Sequence, residues 1–208
     1  MIVVIDYKAG NGPSVKNALD HLGIEACLTA EPELIRKADG IILPGVGSAD
    51  ATMESLRELA LLPVLDETVK ERKTPFLGIC VGMQVLLSHS AEGDCDCLGW
   101  IPGQVVRFEE GVRIPQMGYN TVRFQGGHPL VEGLEEGYFY FVNSYYARPE
   151  SGSDVAGVTE YGHPFCSLIA RDNIMGSQFH MEKSGPAGLK LLERFAALCK
   201  DRKGGAAC

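Results

Sequence analysis

Residues 75–87 read PFLGICVGMQVLL, and this stretch decides the fold. The apolar run from Pro75 to Ile79 fits a buried strand and the sequence from Gly82 onward fits a helix, so the chain changes from one to the other at Cys80. Gly78-Ile79-Cys80-Val81-Gly82 follows the G-x-nucleophile-x-G pattern, in which a tight, strained turn presents its central side chain at the end of a strand. Glycines flank the turn because side chains there would meet neighbouring backbone. A helix N-terminus at this point favours an anionic sulfur and aims free N–H groups at a developing oxyanion. Taken alone, the pentapeptide suits a nucleophile or a buried structural cysteine equally well.

Working outward toward the N-terminus, short apolar runs alternate with helical patterns. Ile2 to Ile5, Ala26 to Leu28 and Ile41 to Leu43 read as strands, while Ser14 to Leu22, Glu33 to Lys37, Met53 to Leu59 and Leu61 to Lys70 read as helices. That rhythm predicts βαβ units, hence an α/β fold with an open, mostly parallel central sheet flanked by helices. From Trp100 to Arg171 the texture changes to β-rich pieces separated by Gly, Pro and Asn: Val105 to Phe108, Thr121 to Phe124, Tyr138 to Val142 and Phe165 to Ala170. These predict added antiparallel strands. After Ile174 to Phe179, a turn at Ser184-Gly185-Pro186 leads into a helix with Leu189, Leu192, Phe195, Ala196 and Cys199 at helical spacing. One domain over residues 1–202 is expected, with a frayed tail over 203–208.

Composition narrows the functional class. The 208 residues are 45% hydrophobic and 22% charged, enough for a self-sufficient core. A net charge of −8 opposes a nucleic-acid binder, and no apolar stretch approaches a membrane span. Seven cysteines, an odd number without framework spacing, point to reduced thiols and a cytoplasmic location. Cys95-Asp96-Cys97 has no second Cys/His pair at zinc spacing and reads as an acidic loop.

A thiol nucleophile needs a base within hydrogen-bond reach, oriented by a third group. Of five histidines, His180 alone combines a strand end with a carboxylate two residues later, Glu182. In an extended segment residues i and i+2 share a side, so Glu182 is expected to hold the imidazole. Leu43-Pro44-Gly45-Val46-Gly47-Ser48 follows another strand, at the sheet edge where open α/β folds bind ligands. Backbone N–H groups of Gly45, Val46 or Gly47 are candidates to complete an oxyanion hole begun by Val81.

The elbow Cys, the C-terminal His-x-Glu and the Gly-rich loop together resemble the class I glutamine amidotransferases, which have a flavodoxin-like fold. The similarity runs nearly end to end: VIDYKAGN from Val4, LPGVGS from Leu43, PFLGICVGMQVLL from Pro75, IPQMGYN from Ile114, YFVNSYY from Tyr140 and QFHMEKSG from Gln178. The order and spacing are most similar to the glutaminase subunits of histidine biosynthesis. The resemblance implies that Cys80 attacks the carboxamide of glutamine, His180 moves the proton and Glu182 orients His180. It implies neither cofactor nor metal, and it implies a heterodimer partner, a (β/α)8-barrel cyclase subunit that receives ammonia. Gln84 and Asn143-Ser144-Tyr145 are the candidates for holding the amino-acid end of glutamine. Tyr7, Asn11, Met117, Gly118, Tyr119 and Asn120 are the candidates for the partner interface.

Several positions depart from the family pattern. Lys8, Gln116, Tyr119, Asn143 and Met181 stand where Gly, His, Trp, His and Pro are usual. None removes a triad member. They leave open a paralogue that feeds another synthase, such as one amidating a surface sugar, or a non-catalytic regulatory subunit.

Overall fold

Strand β1 (Ile2–Ile5) consists entirely of Ile and Val and is buried along its whole length. Strands β3 (Gly40–Gly45) and β4 (Phe76–Cys80) are buried at every residue as well. Continuous apolar strands of this kind suit a parallel sheet covered on both faces. The structure, a computed structural model, describes residues 1–8, 11–109 and 111–205. In it β2 (Ala26–Thr29), β1, β3, β4 and the strand Ile174–Ser177 lie side by side in that order, all parallel. Their carboxyl ends bring Gly45, Cys80 and the segment after Ser177 to one edge.

The covering helices follow from amphipathic spacing. Gly12–His21 starts with Pro13 in its first turn and buries Val15, Ala18 and Leu19. Ala49–Glu58 buries Ala49, Thr52, Met53 and Leu56. The closing helix Gly185–Gly205 packs Leu191, Leu192, Phe195, Ala196 and Cys199 into the core. It continues beyond Lys203, where the sequence reading begins a tail; residues 206–208 lie outside the described residues.

Past Ile174–Ser177 the sheet continues with antiparallel strands. His163–Arg171 pairs with it, then Tyr145–Pro149, then Gly103–Arg107. A hairpin of Gln116–Phe124 with Glu136–Asn143 joins through Val155–Tyr161. The inner face of the hairpin carries Phe139 and Phe141, which pack with Phe179 at ring separations of 4.2 and 5.7 Å. Thus the aromatic core of the added strands anchors the residue immediately before His180.

Two expected elements take a different form. The helix expected from Gly82 onward is a single turn, Val81–Gln84, because the chain tightens as Leu86 and Leu87 bond to Met83 and Gln84 three residues back. The strand expected to run to Phe179 stops at Ser177. There Gln178 N–H bonds the Ser167 carbonyl, and His180 N–H crosses to the Tyr140 carbonyl at 2.9 Å. His180 therefore enters the site from a strand crossover instead of from a strand tip.

Candidate active site

The turn at Cys80 has the geometry that its glycines permit. Cys80 adopts φ 56° and ψ −110°, a conformation costly for a residue with a side chain and kept only where the surroundings enforce it. The enforcement is steric. A Cβ on Gly82 would stand 2.0 Å from the Leu43 carbonyl oxygen, and one on Gly78 would stand 2.2 Å from the Gly82 oxygen. Gly45, register partner of Cys80, belongs to the same packing, since its Cβ would lie 2.4 Å from Gly82 N. Gly45 thus packs behind the elbow and does not line the cavity, contrary to the expectation that groups it with the oxyanion loop. Val46 and Gly47 do line the cavity. Gly47 holds φ 93° with open space around it, so glycine serves conformation there and clearance at Gly45.

A cavity of about 330 Å³ opens over the elbow, bounded by Val46, Gly47, Cys80, Val81, Gln84, Glu92, Asn143, Ser144, Tyr145 and His180, with Pro115 and Val142. His180 is 1% exposed, and its Nδ1 bonds Glu182 Oε1 at 2.9 Å. The same carboxylate oxygen accepts a 2.8 Å bond from Asn11 Nδ2. Glu182 reaches the imidazole by a mechanism other than strand alternation. It lies in a 3₁₀ turn, Met181–Lys183, for which His180 is the extended first residue. Ser184 Oγ locks that turn, donating to the His180 carbonyl at 2.6 Å and accepting from Tyr140 N at 2.9 Å. Gly188 lets the closing helix press on it, since a Cβ there would meet the Met181 oxygen at 2.0 Å.

The charges of the pair depend on each other. Burial disfavours imidazolium at His180, but Cys80 and Glu182 outweigh burial and raise the imidazole from 6.5 to about 9. Burial likewise opposes ionisation of Glu182, yet its hydrogen bond and attraction to His180, with help from Asn11, hold the carboxyl below its ordinary range. Among the described residues His180 Nε2 has no hydrogen-bond partner. Cys80 nevertheless acts on the ring, as the first of the groups that raise its pKa against burial.

The sign of the pH effect follows. The stabilisation of His180 is complete below its unfolded pKa of 6.5 and disappears as pH rises through about 9; that of Glu182 is present above the ordinary carboxylate pKa and lost as pH falls. An NMR titration of the His180 imidazole is expected to give a midpoint near 9, moving down in Cys80→Ala, where one of the two groups that raise it is gone. An unchanged midpoint would remove Cys80 as a partner of His180.

One wall of the cavity is organised by one carbonyl. Tyr145 O accepts from Gln84 Nε2 at 3.1 Å and from Asn143 Nδ2 at 2.9 Å. A carbonyl oxygen only accepts, so both amides must turn nitrogen toward it. Gln84 Oε1 and Asn143 Oδ1 are left as buried acceptors without partners among the described residues. Two such acceptors suit an ammonium group.

The remaining expected residues divide. Met117 and Tyr119 are 64% and 60% exposed and, with Tyr138 at 66%, form an apolar patch on the hairpin. Tyr119 also donates to the Lys183 carbonyl at 2.8 Å, next to the Glu182 turn. Gly118 and Asn120 are half-buried, and Asn120 donates to the Glu160 carbonyl. Tyr7 does not belong to an interface surface, because it is 2% exposed with its hydroxyl on the Pro44 carbonyl at 2.8 Å. Asn11 is committed to Glu182. Gln116 is buried with both side-chain polar atoms unpartnered among the described residues, opposite Asn143 in the hairpin register, so two of the departures from the family pattern are neighbours in space.

Two residues escape the sequence reading. Glu92 lines the cavity, its carboxyl raised by burial and the charge of Asp50; an acidic turn gives no hint of this. Gln178 is fully buried, and its Nε2 lies 3.7 Å from Cys80 Sγ. The available signal was its place two residues before His180 at the end of a strand.

The fold agrees with comparisons to known proteins. The family model "Glutamine amidotransferase class-I" matches residues 3–199, and the chain belongs to that family. Its similarity to HisH subunits of imidazole glycerol phosphate synthase places it in the HisH branch. The Dehalococcoides mccartyi protein is 48% identical over 197 residues, 94% of this chain and 96% of its own. The Herpetosiphon aurantiacus protein is 46% identical over 207 residues, 99% of this chain and 98% of its own. Among solved structures, a glutamine amidotransferase superposes with TM-score 0.77 at 21% identity, covering 96% of this chain and 100% of the other. A chain in the structure of PurLQS from Thermotoga maritima gives TM-score 0.70 at 18% identity, covering 94% and 97%. At these identities the structural matches bear on the fold alone. Among the described residues no helix is long and apolar enough to cross a membrane.

Proposed function

We propose that this chain is the glutaminase subunit of an imidazole glycerol phosphate synthase and that Cys80, His180 and Glu182 carry its chemistry. The observation that carries the reading is the cavity itself, in which a cysteine at φ 56° shares one wall with a buried His180 held by Glu182.

In this mechanism the Cys80 sulfur attacks the carboxamide carbon of glutamine, and the oxygen gains negative charge opposite the N–H of Val81 and a donor from the Val46–Gly47 turn. His180, as imidazolium, gives its proton to the departing nitrogen. The C–N bond breaks, ammonia leaves and a γ-glutamyl thioester remains. Water then attacks the thioester, His180 takes the water's proton, and glutamate leaves as the thiolate re-forms. Glu182 holds Nδ1 so that Nε2 faces the sulfur throughout. Gln84 Oε1, Asn143 Oδ1 and Glu92 receive the substrate ammonium.

The ammonia passes to a (β/α)8-barrel cyclase of the histidine pathway. Similarity to HisH proteins over nearly the whole chain favours this acceptor over a surface-sugar synthase, and the exposed Met117, Tyr119 and Tyr138 offer an apolar docking surface beside the site. The test is to mix the chain with a cognate cyclase, its imidazole-pathway precursor and amide-labelled 15N-glutamine. Label is expected in the imidazole product. Glutamine turnover with label appearing only as free ammonia would assign the chain to another synthase.

A further inference from the structure

We propose that Gln178 is a catalytic hydrogen-bond donor to the Cys80 sulfur, and that Gln84 connects this donor to the amino-acid end of the substrate. The inference rests on the glutaminase reading above and adds to it the source of support for the nucleophile's negative charge.

The need for such a donor follows from the elbow. The helix after Cys80 has only four residues, too few for an appreciable macrodipole. The thiolate form must find its support elsewhere. His180 supplies part of it. Gln178 supplies a second direction, with its Nε2 3.7 Å from Sγ in a fully buried position, where bonds to charged groups are about twice as strong as neutral ones.

The orientation of the amide is fixed by its neighbours. Gln84 must present nitrogen to the Tyr145 carbonyl, and the same Nε2 lies 3.0 Å from Gln178 Oε1. One of its protons goes to each acceptor. Gln178 therefore presents oxygen to Gln84 and nitrogen to Cys80; the flipped arrangement would place two NH2 groups against each other. The result is a directional chain from the unpartnered Gln84 Oε1 in the cavity wall, through two amides, to the reacting sulfur. An ammonium bound at Gln84 Oε1 polarises the first amide, strengthens its N–H toward the second, and so strengthens the second toward sulfur. Substrate occupancy and nucleophile activation are coupled through side chains alone.

The test uses alkylation of Cys80 by iodoacetamide in the full chain, followed by mass spectrometry of the Cys80 peptide, which separates it from the other cysteines. Gln178→Met keeps length and removes the donor. Its Cys80 is expected to react about tenfold more slowly near neutrality. It should match wild type well above the ordinary thiol pKa of about 8.5, where no help in ionising is needed. A purely structural role would alter both rates alike. If Gln178→Met does not fold, Gln84→Met interrupts the chain from its other end and is expected to slow the neutral reaction severalfold while sparing the alkaline one. Equal neutral rates in wild type and the folded variant overturn the inference. Because alkylation does not require turnover, that outcome with hydrolysis still dependent on Cys80 leaves the glutaminase reading standing; hydrolysis surviving in Cys80→Ala overturns the reading instead.

Discussion

Cys80→Ala is expected to reduce glutamine hydrolysis by about 10⁴-fold or more while leaving the fold intact. The size of the effect follows from the absence of any substitute. No other described cysteine lines the cavity, and among the other buried ones Cys166 has its thiol pushed up to about 12 by burial. The elbow should survive, because alanine fills less space than cysteine and the clearance is set by Gly45, Gly78 and Gly82. Alanine also meets the same positive-φ cost as cysteine. Steady-state ammonia release alongside circular dichroism separates lost chemistry from lost structure. Retained turnover at more than a few per cent would mean that another group attacks the substrate.

The second large effect is expected at Glu182, and two variants should differ. Glu182→Ala leaves His180 Nδ1 buried without an acceptor and abandons Asn11 Nδ2, so the ring loses tautomer, orientation and charge support together. A fall in kcat of about 10³ to 10⁴ is expected, comparable to loss of the orienting acid in other triads. Glu182→Gln behaves differently because Asn11 donates to the same oxygen that receives His180. That shared oxygen must remain an oxygen in the amide, which preserves the His180 tautomer and removes only the charge. Its loss is expected to be about 10- to 100-fold, accompanied by a downward shift of the His180 titration. Equal losses in the two variants would show that Glu182 acts through charge alone. Parallel kcat and NMR titrations make the comparison.

Much of this architecture was legible from sequence because the decisive interactions are local. Buried runs such as Ile2–Ile5 and Phe76–Cys80, and the flanking glycines of the elbow, carry their meaning within a few residues. The His-x-Glu pair was legible for a different reason than its true geometry, since a 3₁₀ turn and strand alternation both place i and i+2 together. What escaped depends on contacts distant in the chain. Gln178 gains its role from Gln84 and Cys80, 94 and 98 residues away. Asn11 meets Glu182 across 171 residues, which turned a candidate surface residue into a support of the triad. Tyr7 had the look of a loop residue because nothing nearby reveals the Pro44 carbonyl that accepts its hydrogen bond. The helix after Cys80 ends where Leu86 and Leu87 bond three residues back, a tightening that its apolar sequence does not reveal.

The departures from the family pattern have a spatial logic that a linear reading could not supply. Gln116 and Asn143 face each other across the hairpin, so exchanging two titratable side chains for two amides is one change in one place. Met181, where proline is usual, is fully buried in the turn carrying Glu182, and its own N–H is not needed for the His180 or Glu182 contacts.

The central claim, that the Cys80 sulfur forms a covalent bond to the carboxamide carbon of glutamine, is tested most directly by a glutamine analogue bearing a diazoketone at the reacting position. After incubation and digestion, mass spectrometry is expected to find a single adduct on the Cys80 peptide, absent when glutamine is present in excess and absent in Cys80→Ala. An adduct on a different residue, or an unmodified Cys80 in protein whose glutamine turnover has been abolished by the analogue, would contradict the account.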